Sequence, residues 1–389
     1  MTDLIQQHTR GDRKIWVIVI LLSLFSILIV YSSTRSLAYK YQGGNTEFYI
    51  IKHIMLGLFG LVLMYVAHLI DYRYYSRIAQ IILFISIPLL LYTLIFGRDV
   101  NDASRWITLP VINLSFQTSD LAKMALIMYT ARTLSRKQEN IKDFKSAFLP
   151  ILLPVLIVCG LIAPANLSTA MLLFVTCLLL MFIGRINMKY IFLMVSMGIL
   201  LLAVVIGLGQ IFPDLVRDET WIARIKSFLS GTDSYQIVQS KIAIAKGSIL
   251  SIAPGTSTQS NFLPHPYSDF IFSVFIEEYG LMGGFILIAL YIGLLYRAIK
   301  IVLKAPHAFG ALLAFGLSLS LVIQAFIHMG VAVDLFPATG QPLPLMSMGG
   351  TSLWFTGISI GIILSVSRSI EDQKAEPAQT EGELNVAET

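Results

Sequence analysis

The sequence predicts an all-α polytopic integral membrane protein with about ten transmembrane helices and a long extracytoplasmic loop between helices 7 and 8. Of the 389 residues, 56% are hydrophobic and only 13% are charged, whereas soluble domains carry roughly 25% charged residues. The mean hydropathy is +0.75. Apolar runs recur at the length that a bilayer core of about 30 Å requires, which is roughly 20 residues per helix. A soluble globular enzyme is therefore excluded.

Ten apolar runs predict the individual helices. They cover residues 15–31, 48–70, 78–96, 116–134, 146–163, 168–184, 190–212, 269–296, 307–331 and 350–367. The first run is longer than a typical signal-peptide core and has no convincing small-residue cleavage site, so we expect a retained helix. Residues 15–367 are thus predicted to form one membrane domain after a short N-terminal segment, residues 1–14.

The distribution of Lys and Arg predicts the orientation of this domain. With ten helices both termini lie on one side, where the terminal segments and short loops carry 17 Lys and Arg, against 5 in the short loops opposite. Because positive residues favour the cytoplasmic side, both termini are predicted to be cytoplasmic. The pI near 9.0 then reflects cations that meet membrane lipids, and we expect no nucleic-acid partner.

The C-terminal segment, residues 368–389, changes composition. Its acidic residues are Glu371, Asp372, Glu376, Glu381, Glu383 and Glu388. Large apolar residues are almost absent, so we expect a disordered cytoplasmic tail that is dispensable for chemistry. The two cysteines and six histidines show no disulfide or zinc pattern, so no protein metal site is predicted, while a divalent cation stays possible.

The loop over residues 213–268 is far longer than ordinary connections between helices. Its apolar residues argue against disorder, and residues 235–244 have the pattern of an amphipathic helix on the membrane surface. Gln236, Gln239 and Ser240 share one side of that helix at i, i+3 and i+4 spacing. Periodicity alone leaves open whether this side faces a substrate or only the interface.

Asp269 immediately precedes the apolar run that begins Phe270-Ile271-Phe272. An acid at this place can simply cap the helix. Alternatively, a carboxylate beside these side chains at the bilayer boundary is partly desolvated, which suits a group that abstracts a proton. Ionisable residues within a membrane are functional candidates by default, so both roles remain open.

Other charged residues in the apolar runs are expected to be structural. Glu277 and Glu278 lie about 12 Å along the helix from Asp269, too far for a joint two-carboxylate site, so we expect them to partner buried cations. Lys123 and Asp120 are spaced i, i+3 and are predicted to pair.

Three cations, Arg105, Arg224 and Lys246, are predicted to lie in loops on the same side of the membrane as Asp269. Guanidinium and ammonium groups bind phosphate oxygens, so these residues suit an anionic pyrophosphate. Contact with solvent or with lipid head groups is the alternative for each of them.

Four separated stretches carry a family resemblance. They are N-D-A-S-R-W-I at 101–107 with F-Q-T-S-D-L-A-K at 116–123, P-A-N-L-S-T-A at 164–170, Y-Q-I-V-Q-S at 235–240 with S-D-F-I-F at 268–272, and L-F-P-A-T-G-Q-P-L-P-L-M-S-M-G-G-T-S at 335–352. The chain resembles the SEDS family of bacterial cell-wall polymerases, which includes FtsW, RodA and SpoVE, and is more similar to FtsW.

The resemblance implies a peptidoglycan glycosyltransferase that polymerises lipid II, with Asp269 as the general base. It places the substrate-binding groups at Arg105, Trp106, Arg224, Tyr235, Gln236, Gln239, Ser240 and Lys246. It also implies a class B penicillin-binding protein and other divisome proteins as partners, and the bacterial plasma (inner) membrane at the division septum as the location.

The chain departs from the family pattern at several positions. Asn166 replaces an acid, His265 and Tyr267 replace Glu and His, His328 replaces Asn, and a glycine-rich stretch is shortened to residues 246–255. Asp269 is unaffected by these departures.

Three alternatives to this function remain. Ten helices with the intramembrane charges of Lys123, Glu277 and Glu278 also fit a transporter or flippase of lipid-linked precursors. The other two are an elongation polymerase of the RodA type and a non-catalytic scaffold.

Overall fold

The computed structural model describes residues 10–99, 104–109, 114–211, 218–231, 234–250 and 254–387. The first seven helices are α1 (Arg13–Ser33), α2 (Arg35–Tyr41), α3 (Thr46–Leu69), α4 (Tyr72–Phe96), α5 (Thr118–Arg136), α6 (Leu149–Ile162) and α7 (Leu167–Ile183). The remaining six are α8 (Met188–Ile211), α9 (Asp218–Leu229), α10 (Tyr235–Lys246), α11 (Ile271–Lys304), α12 (Ala308–Ala332) and α13 (Gly350–Ala387).

Within these described residues, eight helices are long and apolar enough to cross a membrane. They are α1, α3, α4, α6 with the π-helical turn Phe144–Phe148 before it, α8, α11, α12 and α13. Helix α7 is apolar but has only 17 residues, and α5 carries the charged pair Asp120 and Lys123. With these two, each of the ten predicted runs corresponds to a helix, and the predicted all-α membrane fold is confirmed.

A short antiparallel sheet lies between α4 and α5, where the sequence predicted only a loop. Its strands are β1 (Arg98–Asp99), β2 (Ser104–Leu109) and β3 (Leu114–Gln117), in the order β1-β2-β3. The sequence of β2 contains Trp106, Ile107 and Thr108, which are aromatic and β-branched types that favour strands. Strand β3 continues directly into α5 and therefore fixes the start of that helix.

Helices α3 and α13 approach closely at two glycines. A Cβ added to Gly361 would lie 2.2 Å from the carbonyl oxygen of Met64, and one added to Gly357 would lie 2.3 Å from that of Gly60. Larger residues at these positions would hold the two backbones apart. Small residues four apart commonly permit such close packing between membrane helices.

Helix α11 is interrupted at Gly280, whose backbone has φ 70° and ψ 179°. Across this break the carbonyl oxygen of Ser248 accepts a hydrogen bond from the backbone N–H of Leu281 at 2.9 Å, and that of Ile249 accepts one from Met282 at 3.1 Å. The segment that follows α10 is therefore docked into the break. Only glycine readily adopts this backbone conformation.

The C-terminal tail differs from its prediction, since α13 continues to Ala387 and residues 368–387 are helical rather than disordered. Its first turn is held by the N-terminal segment. The backbone N–H of Gly11 donates to Glu371 at 2.7 Å, and Arg10 lies 3.5 Å from Asp372. Of the predicted N-terminal segment, residues 1–9 lie outside the described part of the chain.

Asp120 and Lys123 lie together inside the bundle. The Lys123 ammonium is 3.5 Å from the Asp120 carboxylate and donates to Gln324 on α12 at 2.9 Å. Gln324 in turn donates to the carbonyl oxygen of Pro342 at 2.8 Å. The charged pair therefore links α5 to α12 and to the loop between α12 and α13.

Candidate active site

Asp269 lies in a turn two residues before α11 begins. The turn is closed by the carbonyl oxygen of His265, which accepts from the backbone N–H groups of Ser268 and Asp269, both at 3.1 Å. Phe270 occupies the N-cap position and no side chain caps the helix, so helix capping does not explain the acid. The Asp269 side chain is partly exposed, while the Phe270 side chain beside it is buried.

The loop between α12 and α13, residues 333–349, lies against this turn. Its Gly340 has φ +62°, and a Cβ added there would lie 3.5 Å from Oδ2 of Asp269. The loop is fastened to the turn at two other points. The hydroxyl of Ser347 donates to the carbonyl oxygen of Ser268 at 2.7 Å, and the backbone N–H of Met348 donates to that of Tyr267 at 2.9 Å.

The same α12–α13 loop is also held by the bundle. The hydroxyl of Ser26 on α1 donates to the carbonyl oxygen of Met346 at 2.8 Å, and the hydroxyl of Tyr291 on α11 donates to that of Pro344 at 2.5 Å. Both side chains are buried. The loop that lies against the Asp269 turn is therefore fixed to α1 and α11.

His328 is a site residue that sequence reasoning singled out only as a departure from the family pattern. It is buried, its Nδ1 lies 2.8 Å from the carbonyl oxygen of Gln341, and it is within electrostatic range of Asp269. Among the described residues no group bonds its Nε2. The Gln341 amide donates to Thr169 at 2.6 Å and lies 3.5 Å from Asn166, so α7 and α12 meet beneath the site.

The Tyr267 side chain, close to Asp269 in the chain, stays protonated. Burial raises the pKa of Tyr267, and the charge of the Asp269 carboxylate raises it further. The hydroxyl lies 3.1 Å from Nδ1 of His265. The Asp269 carboxylate therefore has a protonated phenol within electrostatic range, and that phenol contacts an imidazole.

Of the predicted cations, Arg224 contacts the α12–α13 loop. It is exposed on α9 and donates to the carbonyl oxygen of Ala338 at 3.0 Å, two residues from Gly340. Lys246 is exposed at the end of α10 and donates to Thr258 at 2.9 Å. Arg224 therefore contacts the α12–α13 loop that lies against Asp269, whereas Lys246 contacts the segment that Glu277 holds.

Arg105 and Trp106 belong to strand β2, but their side chains lie outside the described part of the structure. Trp106 pairs with Gln117 on β3, immediately before α5. Among the described residues no group of three His, Cys, Asp or Glu side chains could hold a metal ion.

Helix α10 forms where the sequence predicted it, and its buried residues are Ile237, Ser240 and Ala243. Tyr235 is 57% exposed, and Gln236 and Gln239 are partly exposed. Ser240, predicted to contact substrate, is fully buried, and its hydroxyl is 2.6 Å from that of Ser273. It also donates to the carbonyl oxygen of Ala332 at 2.7 Å, so Ser240 joins α10 to α11 and α12.

Ser240→Ala is expected to lower the free energy of unfolding by about 1–2 kcal/mol, because it removes a buried hydrogen bond. Thermal unfolding of the purified protein in detergent measures this loss. Gln239→Ala, one residue away and partly exposed, is the matched control and should leave the unfolding midpoint unchanged. Equal midpoints for Ser240→Ala and wild type would contradict the structural role.

Glu277 and Glu278 bind a loop, whereas the sequence predicted buried cations as their partners. Glu277 accepts from the backbone N–H groups of Thr258 at 3.1 Å and Gln259 at 3.3 Å. Glu278 accepts from that of Gly255 at 3.0 Å. Short polar loops expose unsatisfied N–H groups, and buried carboxylates are strong acceptors for them. Both carboxylates therefore hold the loop over residues 255–259 through its backbone N–H groups.

The sequence model of the FtsW/RodA/SpoVE family, described as cell cycle proteins, matches residues 12–372. The chain belongs to this family. A probable peptidoglycan glycosyltransferase FtsW of Trichlorobacter lovleyi is 33% identical over 92% of this chain and 94% of its own. Stage V sporulation protein E of Bacillus subtilis is 31% identical, over 93% of this chain and 98% of its own.

The same fold is seen in one chain from a solved structure of a peptidoglycan synthase complex, which addresses the structural coordination of polymerization and crosslinking. That chain superimposes with a TM-score of 0.73, covers 92% of this chain and 98% of its own, and is 24% identical. At this identity the likeness establishes a common fold for the FtsW/RodA/SpoVE membrane domain.

Proposed function

We propose that this protein is a peptidoglycan glycosyltransferase that polymerises lipid II into glycan strands during cell division. The observation that carries the proposal is the Asp269 carboxylate, which is partly exposed beside buried apolar residues and does not cap α11. Family relatives named peptidoglycan glycosyltransferase FtsW support it. A carboxylate in this setting is available to an incoming hydroxyl group.

In the proposed reaction, Asp269 takes the proton from the 4-hydroxyl of the acceptor sugar. The freed oxygen forms a bond to the anomeric carbon of the donor as the bond from that carbon to the pyrophosphate breaks. The undecaprenyl pyrophosphate leaves with the electron pair, and the anomeric centre is inverted. One base and a stabilised leaving group are sufficient for this displacement.

Stabilisation of the leaving pyrophosphate requires positive charge on the same face as Asp269. Arg224 is supported for this role by its contact with Ala338, close to Gly340. Lys246 at the end of α10 and Arg105 in β2 are further candidates. Tyr235, Gln236 and Gln239 present exposed or partly exposed groups on α10 that suit the sugars and the peptide.

The proposed orientation places both termini in the cytoplasm and Asp269 on the outer side of the plasma membrane, at the septum. The excess of Lys and Arg on the side of the termini supports it. We propose a class B penicillin-binding protein as the crosslinking partner, together with other divisome proteins. An elongation role of the RodA type is the nearest alternative.

A transporter of lipid-linked precursors is less well supported. Its sequence argument rested on Lys123, Glu277 and Glu278, and the structure engages each of these within the protein. Lys123 is bound to Asp120 and Gln324, and the two glutamates hold a loop. Charges with internal partners do not form a path for an anionic head group.

Purified full-length protein, mixed with a class B penicillin-binding protein and labelled lipid II, is expected to produce glycan strands visible on a gel. The same preparation in vesicles should not increase the movement of labelled lipid II across the bilayer. Flipping without strand formation would favour the transporter and contradict the proposed function.

A further inference from the structure

A second polar site lies at the opposite end of the bundle from Asp269, where α1 begins and α11 ends. It is a cavity of about 510 Å³ formed by the N-terminal segment, the end of α11 and the α13 helix. Because successive spans alternate in direction, this cavity lies on the side of both termini. It shares no residue with the candidate active site.

The lining of this cavity is strongly basic. Its cations are Arg10, Arg13, Lys14, Arg297, Lys300 and Lys304, and its acids are Asp12 and Glu371. The formal charge of the lining is therefore plus four. Three separate parts of the chain supply these groups, so the concentration of charge depends on the fold rather than on one basic run.

Part of this charge is already used within the protein. Arg297 donates through Nε to the buried Asp12 carboxylate at 2.7 Å and also pairs with it through NH2. Arg10 lies 3.5 Å from Asp372. The Arg297–Asp12 pair fixes α11 against the N-terminal segment and so holds the walls of the cavity in place.

The four remaining cations share the cavity with one further acid, Glu371, which accepts from the backbone N–H of Gly11. Arg13, Lys14 and Lys304 are exposed, and Lys300 lies 4.5 Å from the ring of Tyr296. Repulsion among cations that line one cavity is relieved by an anion, most effectively by one with several acceptor oxygens.

The surroundings of the cavity match a lipid rather than a small soluble anion. Leu303, next to Lys304, is 80% exposed, and Val17, one turn from Lys14, is 54% exposed. Both belong to spans whose exposed apolar side chains face acyl chains in a bilayer. A basic pocket at the end of membrane helices, bordered by apolar surface, fits a phosphate head group with its acyl chains.

We infer that this cavity binds the head group of an anionic phospholipid of the bilayer, with Lys14, Lys300 and Lys304 contacting its phosphate. The Arg297–Asp12 pair holds α1 and α11 at the spacing that the head group needs. Such a lipid would connect the N-terminal segment, α11 and α13 on this face. The inference concerns binding alone and does not depend on the proposed polymerase activity.

Binding of phosphatidylglycerol to the purified full-length protein in detergent tests this site, with native mass spectrometry as the readout. The variant Lys14→Gln/Lys300→Gln/Lys304→Gln is expected to bind it at least about tenfold more weakly, since each juxtamembrane cation adds to the attraction for anionic lipid. The control is Lys137→Gln/Lys142→Gln/Lys145→Gln, which removes three exposed cations from another connection on the same face and should bind like wild type.

Two further measurements separate the lipid from other sources of phosphate and from misfolding. Wild type should bind phosphatidylcholine and glycerol 3-phosphate at least about tenfold more weakly than phosphatidylglycerol, since only the last has both a net charge and acyl chains. The variant Lys14→Arg/Lys300→Arg/Lys304→Arg should bind phosphatidylglycerol like wild type. Equal binding by both glutamine variants, tight binding of glycerol 3-phosphate, or failure of the arginine variant would overturn the site.

Discussion

Asp269→Asn is expected to lower the rate of lipid II polymerisation by about 10²–10⁴-fold, the usual contribution of a general base. Asparagine has almost the same shape, but its amide cannot take the proton of the acceptor hydroxyl. The turn that carries the residue is closed by backbone hydrogen bonds to His265, so the fold should survive. Strand formation from labelled lipid II, in the presence of the transpeptidase partner, measures the effect.

Glu47→Gln is the matched control for this experiment. Glu47 is an exposed carboxylate in the first turn of α3, on the same face of the bundle as Asp269, and its loss should leave the rate unchanged. Binding of lipid II to the Asp269→Asn protein should be retained, because the change affects the reaction step. A polymerisation rate within about threefold of wild type would remove Asp269 from the mechanism.

Gly280→Ala is expected to lower the free energy of unfolding by about 3 kcal/mol. Part of this loss is strain, because alanine does not readily adopt φ 70° with ψ 179°. The rest is overlap, because the new Cβ would lie 2.7 Å from the carbonyl oxygen of Ser248 and 2.9 Å from that of Leu250. Unfolding of the purified protein by heat or denaturant, followed by helix content, measures the loss.

Gly57→Ala is the control, and for it we expect the opposite change in stability. Gly57 lies within α3, and no atom lies within 4 Å of a Cβ added there. Alanine is the better helix former, so this change should stabilise the protein by about 0.5–1 kcal/mol. If both substitutions changed the unfolding midpoint equally, the break in α11 would not be a position that requires glycine.

Hydropathy and charge were sufficient to predict the membrane domain, because each span must be apolar along its length to lie in lipid. The sheet between α4 and α5 was missed because its strands have at most six residues, too few to show a clear alternation. The helical tail was missed because a low apolar content predicts disorder, whereas the contacts of Arg10 and Gly11 that hold its start come from the other end of the chain.

Asp269 was found from the sequence because an acid beside Phe270 and Ile271 is conspicuous in an apolar run. The orientation of α10 could not be found in this way. Spacing places Gln236, Gln239 and Ser240 on one side of the helix, but the packing of α10 on α11 decides which of them is buried. The same limit applies to Glu277, whose loop partners are about 20 residues earlier in the chain. Pairing across such distances depends on the path of the loop.

The anchored α12–α13 loop has a consequence for processive synthesis. A growing strand must slide past Asp269 after every addition, yet one wall beside the carboxylate is fixed to α1, α11 and α12. By contrast, α9 and α10 contact this loop through Arg224 with Ala338 and through Lys241 with Asp334 at 3.1 Å. Partly exposed polar contacts of this kind each contribute little stability. Because buried Ser240 joins α10 to α11 and α12, we expect the nascent polymer to advance by transient displacement of α9.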